Sequence, residues 1–525
     1  VSAKITEAEM LAVVAGVFDV ARASDLPERL SGGPALLMVD AVERNFGPVV
    51  AALTWLREHT TGLRLLITGR RPTGIEGELA WPVAPLETPP EDRTTLAEID
   101  RYPAVALFRE RLRAVGHPEV RPEQAPDLAE LVRRLDGLPL ALELAAARGR
   151  ILRLGEILDQ YRDRVLDLGD ASATLREAVG SSYRLLGDDQ RAALRALAQF
   201  HNRWSVRMAE AMLAPAGQDI VPLLDQLLGL GLVAVRGTGD VRFRLLDVVR
   251  DFALERAAAK DELAAARIRH ARVVTDLAVA IAADLTGPAQ RDAIARLDDI
   301  SGDLAGALNA AAGADPPTAL RLAAALPRWW RFRGQDKDGR AWLERLLAAP
   351  ENARGDSVVR AWALLGVAML AAEHGDGDAA VPGVDQALGI FDLFGDVAGQ
   401  LAAHTQLHAL HQAYGRYALA REHGESALAL ATRHGRTREA VVAQTNLTWH
   451  DIRVGDLAAA RRRLTVVRRL ATEVGDDRLA ALAVANMAEV ARLGGRYAEA
   501  VQLGRQAIGL LEPLGDPRHK RRVLG

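Results

Sequence analysis

Glycines recur along the C-terminal half of this 525-residue chain with a fixed period, and that spacing restricts the fold more than any other feature. Gly355, Gly395, Gly435, Gly475 and Gly515 are forty residues apart, and Gly375, Gly415, Gly455 and Gly495 fall halfway between them. Ala380, Ala420, Ala460 and Ala500 share one equivalent position; Ala387, Ala427 and Ala507 share another, with Val467 completing it. Each period therefore reads as two helices of about fifteen residues, joined by turns in which Gly takes the left-handed conformation at low cost. Small residues at fixed positions let the paired helices approach closely. A repeat of this length buries its apolar face only on its neighbours, so the segment predicts a helical solenoid with a concave binding surface. Residues 260–350 are also helical in pattern and begin the stack less regularly, with Gly334 one residue out of register.

Composition removes several alternatives. The chain has no cysteine, which excludes disulfide scaffolds, thiolate metal sites and a cysteine nucleophile, and fits a reducing cytoplasm. No stretch approaches the ~20 apolar residues of a membrane span, and Val1–Met10 lacks the pattern of a signal peptide. A formal net charge of -3 gives no overall electrostatic reason to bind nucleic acid. The chain reads from inside one folded unit to inside another, so a fragment, or a protein that has lost its front end, is expected.

The N-terminal third holds two short apolar runs of a different kind. Ala35-Leu36-Leu37-Met38-Val39 ends in Asp40, and Leu63-Arg64-Leu65-Leu66-Ile67 ends in Thr68-Gly69-Arg70. Both suit strands buried on both faces of a parallel sheet. An acid at a strand's carboxyl end is where P-loop ATPases organise Mg²⁺, and Glu43 could orient water. The alternative is that Asp40 merely caps the next helix. A polar Thr68 and a cationic Arg70 at the end of the second run could reach a γ-phosphate. Further on, Leu135-Asp136-Gly137-Leu138-Pro139-Leu140 opens an apolar helix, with Gly for a tight turn and Pro in the first helical turn.

In that order, the runs ending in Asp40 and in Thr68-Gly69-Arg70, followed by Gly137-Leu138-Pro139-Leu140, resemble the NB-ARC class of STAND signalling ATPases. The nearest flavour is the actinobacterial regulators of the antibiotic regulatory protein and large LuxR types. The resemblance implies a Walker B acid at Asp40, a sensor arginine at Arg70 and an adenine-contacting proline at Pro139. It implies ATP or ADP with Mg²⁺ as cofactor, the metal held through water by Asp40. Two positions depart from that pattern: Ala41 stands where Asn or Asp is usual, and Gly69 where Ser is usual. No Gly-x-x-x-x-Gly-Lys-Ser/Thr occurs in the chain, so a phosphate-cradling loop is expected upstream of Val1 and the chain alone should bind ATP poorly.

Residues 174–257 read as three amphipathic helices and a hairpin, Leu232–Val235 and Val241–Leu245 about the turn Gly237-Thr238-Gly239-Asp240. That order suggests a winged helix. Arg236, Arg242 and Arg244 could contact DNA; in the resembled family the module instead folds back on the nucleotide domain. There Phe243-Arg244-Leu245-Leu246-Asp247 resembles the MHD motif, with Asp247 matching a nucleotide-binding position and Leu246 replacing the His.

Within the repeats, His404, His408 and His411 share one helical face. The spacing admits a metal, but no carboxylate or Cys is placed to complete a site, and imidazoles lining a groove or repeat interface are the favoured reading. Arg461, Arg462, Arg463, Arg468 and Arg469 read as a solvated face. Trp329 and Trp330 read as core or groove residues.

The expected architecture is multidomain: a partial α/β P-loop NTPase domain, a helical and winged-helix domain, then an all-α tetratricopeptide-like solenoid. The expected boundaries are 1–95 for the NTPase core, 96–172 for the helical domain, 173–258 for the winged helix, 259–354 for irregular repeats and 355–525 for the array. Functionally this predicts a regulatory ATP/ADP switch in a transcriptional regulator, at most a slow ATPase. A protein or small-molecule effector would bind the array, with a nucleotide-dependent homo-oligomer and DNA contacts through other segments. A non-catalytic interaction scaffold and DNA binding by the winged helix are the alternatives.

Overall fold

The structure is a computed structural model that describes residues 6–512, apart from 21, 32, 162–164, 169–174, 214–218, 237–240, 288, 354, 373–374 and 474. Helices dominate it, and the chain divides into two compact units, Val1–Ala266 and Arg267–Gly525.

In the first unit, β1 (Ala35–Val39) pairs in parallel with β2 (Leu63–Ile67), Ala35 opposite Leu63 and Val39 opposite Ile67. The crossover is the helix Phe46–His59, whose Val49, Leu53 and Leu56 pack with Leu11 and Val14 of helix Glu7–Val17 and with Leu37 of β1. Successive strand residues point to opposite faces, and here the two faces differ. Leu37 is buried, whereas Leu36, Met38 and Leu66 are 58%, 69% and 50% exposed. This corrects the expectation of strands buried on both faces. The described helices of this layer cover one face only, and two strands are all that the described residues contain of a parallel sheet. Among the described residues the expected α/β layer is therefore no more than this two-stranded parallel fragment.

A second core in the same unit gathers Phe108, Leu128, Leu142 and Leu158 with Val248 and Phe252. It joins helix Pro139–Arg148 to helix Asp247–Ala258, segments a hundred residues apart in sequence. Helices Leu175–Arg184, Asp188–Leu197, Val206–Leu213 and Val221–Gly229 lead to the antiparallel pair β3 (Val233–Arg236) and β4 (Arg242–Leu245). The hairpin turn at 237–240 lies outside the described residues. Helix Val206–Leu213 was not anticipated. Trp204, just before it, exchanges two 2.9 Å backbone hydrogen bonds with Phe243, and its ring stacks on Phe243 at 5.1 Å.

The second unit is helical throughout its described residues. From residue 358 it consists of regular pairs: Val358–Ala372 with Gly377–Phe394, Val397–Ala413 with Tyr417–Arg433, Thr437–Arg453 with Leu457–Glu473, and Asp477–Leu493 with Tyr497–Leu511. Gly375, Gly395, Gly415, Gly435, Gly455, Gly475 and Gly495 all have positive φ, as does Gly334; Gly355 does not, and Gly515 lies outside the described residues. Beyond these glycines the next N–H reaches back to the helix, as in Arg416 N–H to the His411 carbonyl at 2.8 Å and Arg436 N–H to Ala431 at 2.8 Å, closing the helix ends. Ala387, Ala420, Ala427, Ala460 and Ala507 are buried between the helices, as is Val467. Trp329 and Trp330 are buried in the core of the earlier, less regular helices.

Candidate functional site

Parallel pairing sets the carboxyl ends of β1 and β2 side by side. Asp40 and Thr68 follow the last paired residues, and the Thr68 hydroxyl donates to the Asp40 carboxylate. The Ala41 N–H donates to the same hydroxyl at 3.0 Å. Both side chains are exposed, and Asp40 makes no ion pair among the described residues, so one of its oxygens remains open to a hydrated cation. Hard oxygen donors of this kind suit Mg²⁺, which keeps most of its waters when held by a single carboxylate. Asp40 fits the part of a water-mediated Mg²⁺ contact; the described residues provide no phosphate cradle beside it.

Ala41 takes φ 56°, ψ 51°, the left-handed region that L-residues other than Asn and Asp rarely enter. The residue after the acid thus stands in a conformation that the Asn or Asp usual in the resembled family would adopt more cheaply. Glu43 lies in the short turn Val42–Asn45 that follows, and its side chain is outside the described residues.

Arg70 is half-buried, and its guanidinium donates to the Ala178 carbonyl and the Ser182 hydroxyl, both at 3.3 Å, on helix Leu175–Arg184. The expected reach to a γ-phosphate is not what this geometry holds: the cation ties the strand end to the helical module. Arg71 lies over the Phe46 ring at 3.6 Å.

Pro139 begins its helix as expected and is exposed. The preceding Gly137 has φ +64°, and a Cβ there would stand 2.0 Å from the Leu86 carbonyl oxygen, so no larger residue fits. The Leu86 N–H donates to the Gly137 carbonyl at 3.0 Å, pinning the turn to the extended segment that follows β2. Asp247 is half-buried at the start of helix Asp247–Ala258, and Leu246, in place of the motif's His, is buried. Neither Pro139 nor Asp247 makes a hydrogen bond or ion pair with Asp40 or Thr68. Four of the expected positions therefore fall into two separate groups.

The residue that the sequence did not single out is Asp136. It is 3% exposed, takes φ 54°, and its carboxylate accepts from Arg244 Nη2 at 3.3 Å and from the Val248 N–H at 3.3 Å. The turn before Pro139 is thereby fastened to β4 and to the first turn of helix Asp247–Ala258. Burial, with the carboxylate of Asp247 nearby, pushes the Asp136 acid up to about 7, against the pull of Arg244 and the N–H donors. Only its place between Leu135 and Gly137 could have drawn attention to it, since a lone Asp before a glycine usually marks a turn. Arg244, a candidate DNA contact, is committed to this pair; Arg242 is half-buried, and the Arg236 side chain is outside the described residues.

In the repeat unit, His404 meets His423 of the next helix at 3.1 Å between Nδ1 atoms, His411 stacks on His423 at 5.4 Å, and His408 bonds the Ala420 carbonyl at 2.7 Å. These imidazoles line a helix interface. Among the described residues no group of three or more His, Asp or Glu side chains is placed to hold a metal. The arginine run is largely paired, Arg461 with Glu499 at 3.0 Å and Arg463 with Asp451 at 2.9 Å. No helix of the described residues is long and apolar enough to cross a membrane.

No family model matches the chain. A Mycobacterium tuberculosis protein named "Putative HTH-type transcriptional regulator" is 32% identical over an alignment of 398 residues that covers 70% of this chain and 43% of that protein. An uncharacterized protein of the same organism is 31% identical over an alignment of 248 residues that covers 45% of this chain and 60% of its own length. The chain thus spans less than half the length of the named relative. Among solved structures, a STAND protein with a tetratricopeptide repeat sensor from Pyrococcus horikoshii aligns over 98% of this chain and 74% of its own, at 13% identity and a TM-score of 0.46. In sequence the chain resembles mycobacterial proteins named as HTH-type transcriptional regulators, and in the order of its motifs it resembles the STAND-class signalling ATPases with tetratricopeptide repeats.

Proposed function

We propose that this chain is the switch and sensor portion of a STAND-type transcriptional regulator. In this reading a bound adenine nucleotide with Mg²⁺ sets the arrangement of the first unit, and the repeat array binds a protein or small-molecule effector that biases that arrangement. The observation that carries the reading is the meeting of Asp40 and Thr68 at the carboxyl ends of two adjacent parallel strands. Asp136 supplies the coupling element, because it fastens the turn before Pro139 to the strand and helix that flank Asp247. Regulated transcription would be the output of the whole protein, as the name of the mycobacterial relative suggests.

Calorimetric titration of MgADP and MgATP into the chain, alone and extended upstream of Val1 by whatever its gene encodes there, tests the reading. Binding by the extended protein that weakens at least tenfold in Asp40→Asn supports it. No binding by either form, or equal binding by wild type and variant, would refute it.

A second reading is a scaffold in which the strand pair is only a platform for the repeats. The engagement of Arg70 with Ala178 and Ser182, and the burial of Leu246, favour it. Nucleotide turnover lost in Asp40→Asn would exclude it. DNA binding through β3 and β4 is the weaker alternative, because Arg244 is held by Asp136.

A further inference from the structure

The repeat unit returns on its own beginning. Arg438 and Arg478 stand one period apart, each in the first turn of its helix, Thr437–Arg453 and Asp477–Leu493. The Arg478 guanidinium donates to the Gln290 side-chain oxygen at 3.0 Å, across 188 residues of chain. Arg438 Nε lies 3.8 Å from where a Cβ on Gly287 would stand, and the same guanidinium pairs with Asp476 at 3.2 Å. Gly287 and Gln290, among the first helices of the unit, thus touch its third and fourth regular pairs. The helices between them must curve around a common inside for that to happen.

Arg328 belongs to the stretch that does the curving. Its helix, Pro327–Arg333, is firmly seated: Trp329 and Trp330 are buried, and a Cβ on Gly366 would stand 2.6 Å from Pro327 Cγ. Arg331, three residues on, shares the exposed face with Arg328. Arg328 is open to solvent and has no hydrogen bond or ion pair among the described residues. Burial among the surrounding walls nevertheless pulls its guanidinium below the ordinary value, Arg331 and Arg438 push the same way, and no described carboxylate acts on it. A side chain that reaches water and is still penalised for its charge lies on the inner wall of a concavity. Setting Asp476 against Arg438 leaves at least the charge of Arg328 in excess. Like charges gathered where water is scarce cost free energy, and an anion placed among them removes that cost. The planar fork of a guanidinium matches the two oxygens of a carboxylate or phosphate.

We propose that the inner wall at Arg328, flanked by Arg331 and Arg438, binds the oxyanion head of a small molecule, a phosphate or a carboxylate. The proposal rests on the reading of the array as an effector sensor and names the chemical class of the effector. Inorganic phosphate and succinate are the probes, each titrated into the protein at constant ionic strength and followed by ligand-observed NMR. At least one should bind, and Arg328→Gln should weaken that binding by roughly tenfold or more. Arg328→Lys, which keeps the charge and loses the fork, should weaken it less. Arg462→Gln removes an exposed arginine elsewhere in the array and should leave binding unchanged, which separates the site from the net charge. The probe that binds more tightly identifies the head group. Absence of binding by both probes, or equal weakening by Arg328→Gln and Arg462→Gln, would overturn the site. Binding that obeys the variants while the MgADP affinity of the upstream-extended protein stays unchanged would uphold the site and count against the sensor reading.

Discussion

Replacing Asp136 by Asn tests the internal tie of the first unit through its dependence on pH. The Asp136 acid rises from an ordinary 3.8 to about 7 in the folded chain, because its burial and the nearby Asp247 outweigh Arg244 and the Val248 and Asp247 N–H groups. An acid whose folded pKa is raised binds its proton more tightly in the native state. Its stabilising contribution is full below the unfolded pKa and is lost as pH rises through the folded one. The shift of about three units corresponds to about 4 kcal/mol at most, gone by pH 8. Asn keeps an oxygen for the Val248 N–H and cannot ionise. The wild type should therefore lose stability relative to Asp136→Asn between pH 4 and pH 8, by ~2–4 kcal/mol, with the two proteins nearly matched at the acid end. Urea unfolding followed by tryptophan fluorescence at one-unit pH steps measures the difference, and subtraction removes the titration of every other group. A difference that is flat with pH would refute the reasoning. So would one that moves in favour of Asp at neutral pH, because Arg244 would then be holding a stable carboxylate.

Four other variants probe separate parts of the chain. Ala41→Gly should stabilise the strand-end turn by about 1 kcal/mol, since it relieves the left-handed cost at φ 56° and keeps the N–H bond to Thr68; an unfolding midpoint unchanged or lowered would contradict that. Gly137→Ala and Gly435→Ala share a positive φ but not a neighbourhood, as the first Cβ would meet the Leu86 oxygen at 2.0 Å and the second meets nothing within 4 Å. The first should cost roughly 3–5 kcal/mol and the second about 1 kcal/mol by chemical denaturation; equal costs would show that close approach is not what Gly137 serves. Burial holds His404, His408, His411 and His423 below the ordinary imidazole value, with His423 adding to this at His404 and Arg416 at His411, while Asp385, Asp392 and Glu422 pull the other way. A depressed pKa gives stability that is present above the unfolded value of ~6.5 and lost as pH falls. The double variant His404→Gln, His423→Arg, which copies the Gln444–Arg463 pair, should flatten that acid-side loss of the repeat unit; an unchanged slope would assign it elsewhere.

Much of the repeat unit was legible because its information is local. A glycine at the end of each helix, a forty-residue period and small residues at fixed positions act between near neighbours in the chain, so Gly395, Gly435 and Gly475 appear where the spacing put them. The two strand ends that carry Asp40 and Thr68 were readable for a related reason, though not the bond between them. Two short apolar runs joined by one helix have few ways to align, and parallel pairing brings their ends together. Which faces of those strands would be covered was not in the runs themselves, because Leu36, Met38 and Leu66 are as apolar as Leu37.

Contacts between distant segments decided the rest. Arg70 had a charge and a place at a strand end, and only the packing of helix Leu175–Arg184 determined that it would bond Ala178 and Ser182. Asp136 looked like a turn residue until the chain returned 108 residues later to set Arg244 beside it. The sequence alone determined the periodic array and the two short strands that end in Asp40 and Thr68, because short-range geometry suffices for them. Tertiary structure alone decided the partners of Arg70 and Asp136, because a side chain's charge does not specify which distant segment the core will bring to it.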